Sequence, residues 1–127
     1  MELVLSIPLE HSPASAAIAR ACAEEYLGAW ASEGLLADLR LMVSELVTNA
    51  VLHGEPDVLF RVFVDAPVRV RVEVHDGSAA CPTMRAPHLE GTSGRGLQLV
   101  DTVSAAWGTR PLPAGKVVWC EVDACQR

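Results

Sequence analysis

The chain has 127 residues, half of them hydrophobic and a fifth charged, with a formal net charge of −6. That length suits one domain with a full core, and the hydrophobic fraction excludes a disordered chain. The acidic balance excludes non-specific binding to nucleic acid or to an anionic membrane, since both need basic patches. A protein partner or a metal-neutralised anion remains.

Residues 2–8 alternate in polarity and predict a strand. Ser12 followed by Pro13 predicts a helix start, with Ser12 as N-cap and Pro13 at the first helical position. That helix runs through "ASAAIARACAEEYLGAW". Ser32 and Glu33 open a second helix, which extends to His53 and stops at Gly54. "DVLFRVFV" and "VRVRVEVHD" read as strands on either side of a tight turn at Asp65-Ala66-Pro67. In the second of these strands Val68, Val70, Val72 and Val74 face one way, and Arg69, Arg71, Glu73 and His75 the other. One face therefore meets water, and helices cover only the opposite side.

Residues 78–93 hold prolines, a glycine and a histidine with little periodicity. A structureless stretch of that length inside a compact domain points to function. "GRGLQLVDTVSAAW" begins with glycines and turns helical, "VSAAWGTR" passes into a short strand, and "GKVVWCEV" is the closing strand. Residues 1–127 are expected to form a single α+β domain. Its architecture is a two-layer sandwich, with a mixed, largely antiparallel sheet and helices on one face.

Cys22, Cys81, Cys120 and Cys125 show neither a C-x-x-C pair nor zinc spacing. Cys22 and Cys120 lie in apolar periodic stretches and read as buried thiols. The first residues lack a basic n-region, and no apolar run is long enough to span a membrane. The expectation is a reduced, cytoplasmic protein.

Three local features carry possible chemistry. Leu39, Val43, Leu46 and Ala50 form the apolar stripe of the second helix, and Glu45 and Asn49 stack one turn apart on its flank. Such a flank lines a cavity when one end of the core is open. A carboxylate and an amide there suit a hydrated Mg²⁺, which takes one or two protein oxygens and fills its octahedron with water and phosphate. Taken alone, the pair better suits an ordinary helix with Glu45 in solvent and Asn49 bonded locally.

Asp76 ends a strand and precedes Gly77, whose backbone admits close approach of an amino-bearing ring. Asp-Gly is also a common turn dipeptide. Gly94 and Gly96 flank Arg95 ahead of a helix, where backbone N–H groups, the helix dipole and a guanidinium suit an anion. The same glycines also serve a plain turn. The spacing matches neither a dinucleotide-binding fingerprint nor a P-loop.

In order, these are Glu-x-x-x-Asn on a helix, Asp-Gly after a strand, a long irregular segment and Gly-x-Gly at a helix start. The series resembles the histidine-kinase-like ATPase superfamily, and within it the short stand-alone anti-sigma-factor serine/threonine kinases of bacteria. "ELVTNAVLHG" resembles that family's N-box, "VEVHDGS" its first glycine box, "GRGLQLV" its second and "GKVVWCEV" its closing strand.

The resemblance implies the Bergerat-type ATP-binding fold, with ATP and Mg²⁺ as cofactors. It implies Asn49 as the Mg²⁺ ligand and Glu45 as the general base toward a serine or threonine hydroxyl. Asp76, with Gly77 beside it, would accept the adenine amino group. Gly94, Arg95, Gly96 and Leu97 would cradle the phosphates, and residues 78–93 would form the ATP lid. Implied partners are an anti-sigma-factor antagonist and a sigma factor, with a homodimer as the implied assembly and no direct contact with nucleic acid or membrane.

The family's first glycine box is commonly Asp-x-Gly-x-Gly. Here Asp76 is followed by Gly77, Ser78, Ala79 and Ala80, which lack the later glycines. A second reading is therefore carried forward, in which the chain is a nucleotide-binding interaction module that sequesters a partner without kinase activity.

The remaining candidates read as structural. His53 lies nearer the apolar stripe than Glu45 does, and His11, His75 and His88 form no cluster. Trp30, Trp107 and Trp119 read as core. Arg61, Arg69 and Arg71 form a basic stripe on the wet sheet face and read as solvated.

Overall fold

The computed structural model describes residues 1–65, 69–78 and 104–123. Seven elements lie in that part of the chain. They are β1 (Glu2–Leu9), α1 (Ser15–Leu27), α2 (Glu33–His53), β2 (Val58–Asp65), β3 (Arg69–Asp76), β4 (Ala106–Leu112) and β5 (Gly115–Asp123). The strands form one sheet in the order β1-β2-β3-β5-β4, and every neighbouring pair is antiparallel. Both helices pack on one face, α1 against β1 and α2 against β2, β3 and β5. This is the expected α+β two-layer sandwich. Among the described residues no helix is long and apolar enough to cross a membrane.

Local chemistry sets the helix bounds. Ser32 is extended, and its hydroxyl accepts the Leu35 N–H at 3.1 Å, so α2 begins where its cap was read. Its α1 counterpart differs. The Ser12 hydroxyl accepts the Ala14 N–H, and the Ser12 carbonyl accepts the Ser15 N–H. These bonds close a separate turn, so the regular helix starts at Ser15 rather than Pro13. At the other end α1 stops at Leu27, ahead of Gly28 and Trp30.

The core lies between the layers. Leu39, Val43, Leu46 and Ala50 of α2 are buried together with Met42 and Val47. They meet Phe60 and Val62 of β2, Val70, Val72 and Val74 of β3, and Val118, Cys120 and Val122 of β5. Each fully buried large apolar side chain contributes about 1.5–3 kcal/mol. The Cys120 thiol, fully buried, is pushed up to about 12 by loss of solvent, so it stays protonated and inert at neutral pH. Polar ties join the helices: the Arg20 guanidinium donates to the Ser44 hydroxyl at 2.7 Å, and Arg40 pairs with Glu24.

The second sheet face departs from expectation. Arg69 and Arg71 are not a solvated basic stripe. Arg69 pairs with Glu121 at 3.0 Å and with Asp123 at 3.3 Å, and Arg71 pairs with Glu73 and Glu121, both at 2.8 Å. The Arg71 guanidinium also sits 4.3 Å from the centre of the Trp119 ring, which places Trp119 on this face and outside the core. The cause is register. Arg71 stands opposite Glu121, Glu73 opposite Trp119, and Arg69 opposite Asp123, so alternation on two strands assembles a neutralised network. Trp107 packs against the core as expected, whereas Trp30 lies outside it, 36% exposed.

Glu73 anchors that network and is 5% exposed. Burial alone would raise its pKa, but hydrogen bonds from Arg71 and His75 outweigh burial and hold the carboxyl below its ordinary range. The unfolded chain therefore binds a proton here more readily than the folded one. Stability from this group is present above the unfolded carboxylate range and is lost as pH falls through the lowered folded value. Glu73→Gln is expected to cost about 1–3 kcal/mol at neutral pH. Denaturant melts of the two proteins should converge as pH falls through the lowered folded value of Glu73. An undiminished difference in acid would show that charge is not the cause.

Candidate functional site

The α2 helix delivers two polar side chains to the rim of the core. Glu45 and Asn49 are both half-buried, beside the fully buried stripe. Burial raises the Glu45 carboxyl pKa. The Asn49 Nδ2 is buried and meets no hydrogen-bond partner among the described residues. Such an orphan costs about 1–3 kcal/mol, which marks the position as one that calls for a partner beyond the described residues. Turning the amide by a half-rotation exchanges its oxygen and nitrogen. The same buried position then serves a cation through Oδ1 or a phosphate oxygen through Nδ2. Asn49 is also the sole asparagine in the chain.

Asn49 lies five residues before Gly54, about 7.5 Å along the axis. Gly54 is where α2 meets the end of β3. Its backbone is extended, with φ −94°, so no left-handed cap explains the glycine. Space explains it instead. A Cβ there would stand 2.6 Å from Asp76 Cγ and 2.8 Å from Asp76 Oδ2. The α2 terminus therefore seats directly on the Asp76 carboxylate.

Two further close approaches lock the same point. The Gly77 N–H donates to the Glu55 carbonyl at 2.7 Å, and a Cβ on Gly77 would strike the Pro56 carbonyl oxygen. Gly115, in the left-handed half of backbone space with φ +155°, opens β5 where a Cβ would strike the Asp76 carbonyl oxygen. Gly54→Ala is expected to lower the melting temperature and weaken any ligand of this site, because the methyl has no room that does not move Asp76. Overpacking of this kind costs about 1–3 kcal/mol. An unchanged melting curve would mean that the α2 end yields freely.

Asp76 itself is buried and occupied. Lys116 Nζ lies 2.9 Å from its Oδ2 and 3.1 Å from its Oδ1, and both side chains are almost wholly enclosed, 6% exposed for Lys116 and 1% for Asp76. Oδ1 also accepts the Ser78 N–H at 2.7 Å, with the Glu55 N–H at 3.5 Å. Asp76 and Lys116 are direct partners across β3 and β5, on the helix-facing side. Sequence reasoning missed Lys116. The signal was present, because Lys116 continues the inward alternation of Val118, Cys120 and Val122.

The structure seats Asp76 and Gly77 against the C-terminal end of α2, the helix that carries Glu45 and Asn49 on its flank, where β3 ends and β5 begins. Gly94, Arg95, Gly96 and Leu97 lie outside the described residues, as do the lid segment beyond Ser78 and the turn residues Ala66 and Pro67. His53 is exposed, not tucked against the stripe. Among the described residues no cluster of three or more His, Cys, Asp or Glu side chains forms a metal centre. A metal here would rest on Asn49 and on ligands from a bound molecule.

A family model described as the histidine kinase-like ATPase domain matches residues 9–121. No curated protein gives a significant match. Among solved structures, the chain is similar to the histidine kinase domain of the Erythrobacter litoralis blue-light activated histidine kinase. The identity is 26%, the TM-score 0.55, and the alignment covers 72% of this chain and 45% of that one. A structure titled as that blue-light activated kinase itself is similar at 26% identity and TM-score 0.56, covering 72% of this chain and 31% of that one. The chain spans less than half the length of either.

Proposed function

Because the chain belongs to the histidine kinase-like ATPase domain family, membership that implies ATP binding, we propose that it is a Mg-ATP-dependent serine/threonine protein kinase of the anti-sigma-factor type. Its substrate in this reading is a serine or threonine of an anti-sigma-factor antagonist, and its second partner is a sigma factor. The observation that carries the reading is the buried Asn49 Nδ2, without a partner among the described residues, on the helix that ends against Asp76.

Asn49 would hold Mg²⁺ through its side-chain carbonyl and leave the remaining positions to water and phosphate oxygens. When bound, the ion neutralises phosphate charge as the γ-phosphoryl group transfers. In this reading Asp76 closes the base end of the site, and the phosphates would be met by Gly94, Arg95, Gly96 and Leu97. Glu45 accepts the proton of the substrate hydroxyl. That oxygen bonds to the γ-phosphorus, the bond from the γ-phosphorus to the bridging oxygen breaks, and ADP departs with the electron pair. A burial-raised pKa makes Glu45 a stronger base than an exposed glutamate. The slow part of such chemistry is positioning and charge neutralisation, which a rigid helix flank favours.

Incubation with γ-labelled ATP and a purified antagonist protein tests this. Label on a serine or threonine of the antagonist is expected. ATP binding with no transfer to any antagonist would favour the second reading, a nucleotide-binding module that sequesters a partner. The Lys116–Asp76 pair and the glycine-poor stretch after Gly77 favour that alternative.

A further inference from the structure

Lys116 is a buried ammonium in a place where the site calls for a free carboxylate. A carboxylate offers about four acceptor positions. On Asp76, Lys116 takes one on each oxygen, the Ser78 N–H takes another on Oδ1, and the Glu55 N–H approaches the same oxygen. Gly54 is packed over Oδ2 so closely that no Cβ fits between them. The carboxylate therefore has its own internal partners and faces inward. The arrangement is fixed by the β3–β5 register, which sets residues 76 and 116 side by side, and by the tight seating of Gly115 against the Asp76 backbone.

We infer that Lys116 is a base-selectivity residue: by holding the Asp76 carboxylate it removes the acceptor that would read an exocyclic amine, so the pocket binds purine nucleoside triphosphates with little preference for adenine. The inference rests on the nucleotide-binding reading above and deepens it. Lys116 acts through Asp76 and takes no part in phosphoryl transfer. A hydrogen bond from a ligand amine to a buried carboxylate discriminates strongly, because the analogue without the amine leaves that acceptor empty. Where Lys116 already fills the acceptor, both ligands meet the same surface.

The probe is ATP against purine riboside triphosphate, which lacks only the 6-amino group, titrated with Mg²⁺ into the full chain and into Lys116→Thr. The threonine variant keeps Asp76 bonded to the Ser78 N–H while freeing the positions that the ammonium fills. For the wild-type chain the two dissociation constants are expected within about threefold, and for Lys116→Thr the ATP preference is expected to rise to about tenfold or more. Binding of ATP by Lys116→Thr but of neither nucleotide by the wild-type chain would overturn the inference, because Lys116 would then block the pocket and not merely relax its base preference.

A wild-type preference for ATP of about tenfold or more overturns the inference whatever the variant does, so the test survives a variant that fails to fold. Equal, weak discrimination by both proteins also overturns it and leaves nucleotide binding intact. No binding of either nucleotide by either protein sinks the nucleotide reading and takes this one with it.

Discussion

Asn49→Ala is expected to weaken Mg-ATP binding by about ten- to a hundredfold, since it deletes the only metal ligand assigned to the protein. The same substitution is expected to leave folding stability unchanged or slightly higher. Its Nδ2 is buried without a partner, so truncation removes an unsatisfied polar atom and breaks no bond through it. The combination separates two roles. A structural asparagine loses stability when truncated, and a ligand-facing one loses affinity. Calorimetric titration with and without Mg²⁺, beside a thermal melt, reads both. A lower melting temperature with ATP affinity retained would assign Asn49 to the fold alone.

Glu45→Gln is expected to reduce transfer by about a hundred- to ten-thousandfold while ATP affinity holds within about threefold. The glutamine keeps the shape and loses the base. The wild-type rate should fall on the acid side at a higher pH than an exposed glutamate would set, because burial raises the Glu45 pKa. The stability effect runs the other way from that of Glu73. A carboxyl whose folded pKa is raised contributes stability that is full below the unfolded value and is lost as pH rises through the folded one. Removing the charge should therefore raise the stability of Glu45→Gln relative to wild type at neutral pH. Initial rates of labelled transfer across the acid range, with denaturant melts, check both. Transfer by Glu45→Gln at the wild-type rate would move the base to another residue.

The α2 helix was legible because its signals are local. Ser32, Glu33, the 3-4-7 spacing of Leu39, Val43, Leu46 and Ala50, and Gly54 all act within a turn or two. The strands were equally legible from alternation. Less accessible was everything that depends on which strand lies beside which. The pairing of Arg69 and Arg71 with Glu121 joins residues about 50 positions apart, and Lys116 reaches Asp76 from 40 positions away.

Gly54 shows the difference within one residue. As punctuation it ended the helix, as read. Part of its physical reason, the Ala50 carbonyl, is local to the helix, but the Asp76 carboxylate against its backbone comes from another strand. Ser12 shows the converse. Its hydroxyl does cap a nearby N–H, but of a preceding turn, because the bonds from Ala14 and Ser15 close before the regular helix begins.

The site was legible in its polar residues and not in their state. Spacing put Glu45 and Asn49 on one flank, and both lie at the core rim. That the Asn49 Nδ2 has no partner among the described residues and that Asp76 already has several are facts of packing, which spacing does not encode.

Everything functional here turns on a nucleotide and its metal meeting the amide at the flank of α2. The most direct observation is the side-chain NH₂ resonance pair of that amide in a ¹⁵N-labelled sample, easily assigned because the chain has no other asparagine. Saturating Mg-ATP is expected to shift this pair well beyond the movement of the two glutamine pairs. If those signals stay in place while Mg-ATP demonstrably binds, the ligand lies elsewhere on the molecule and the assignment is wrong.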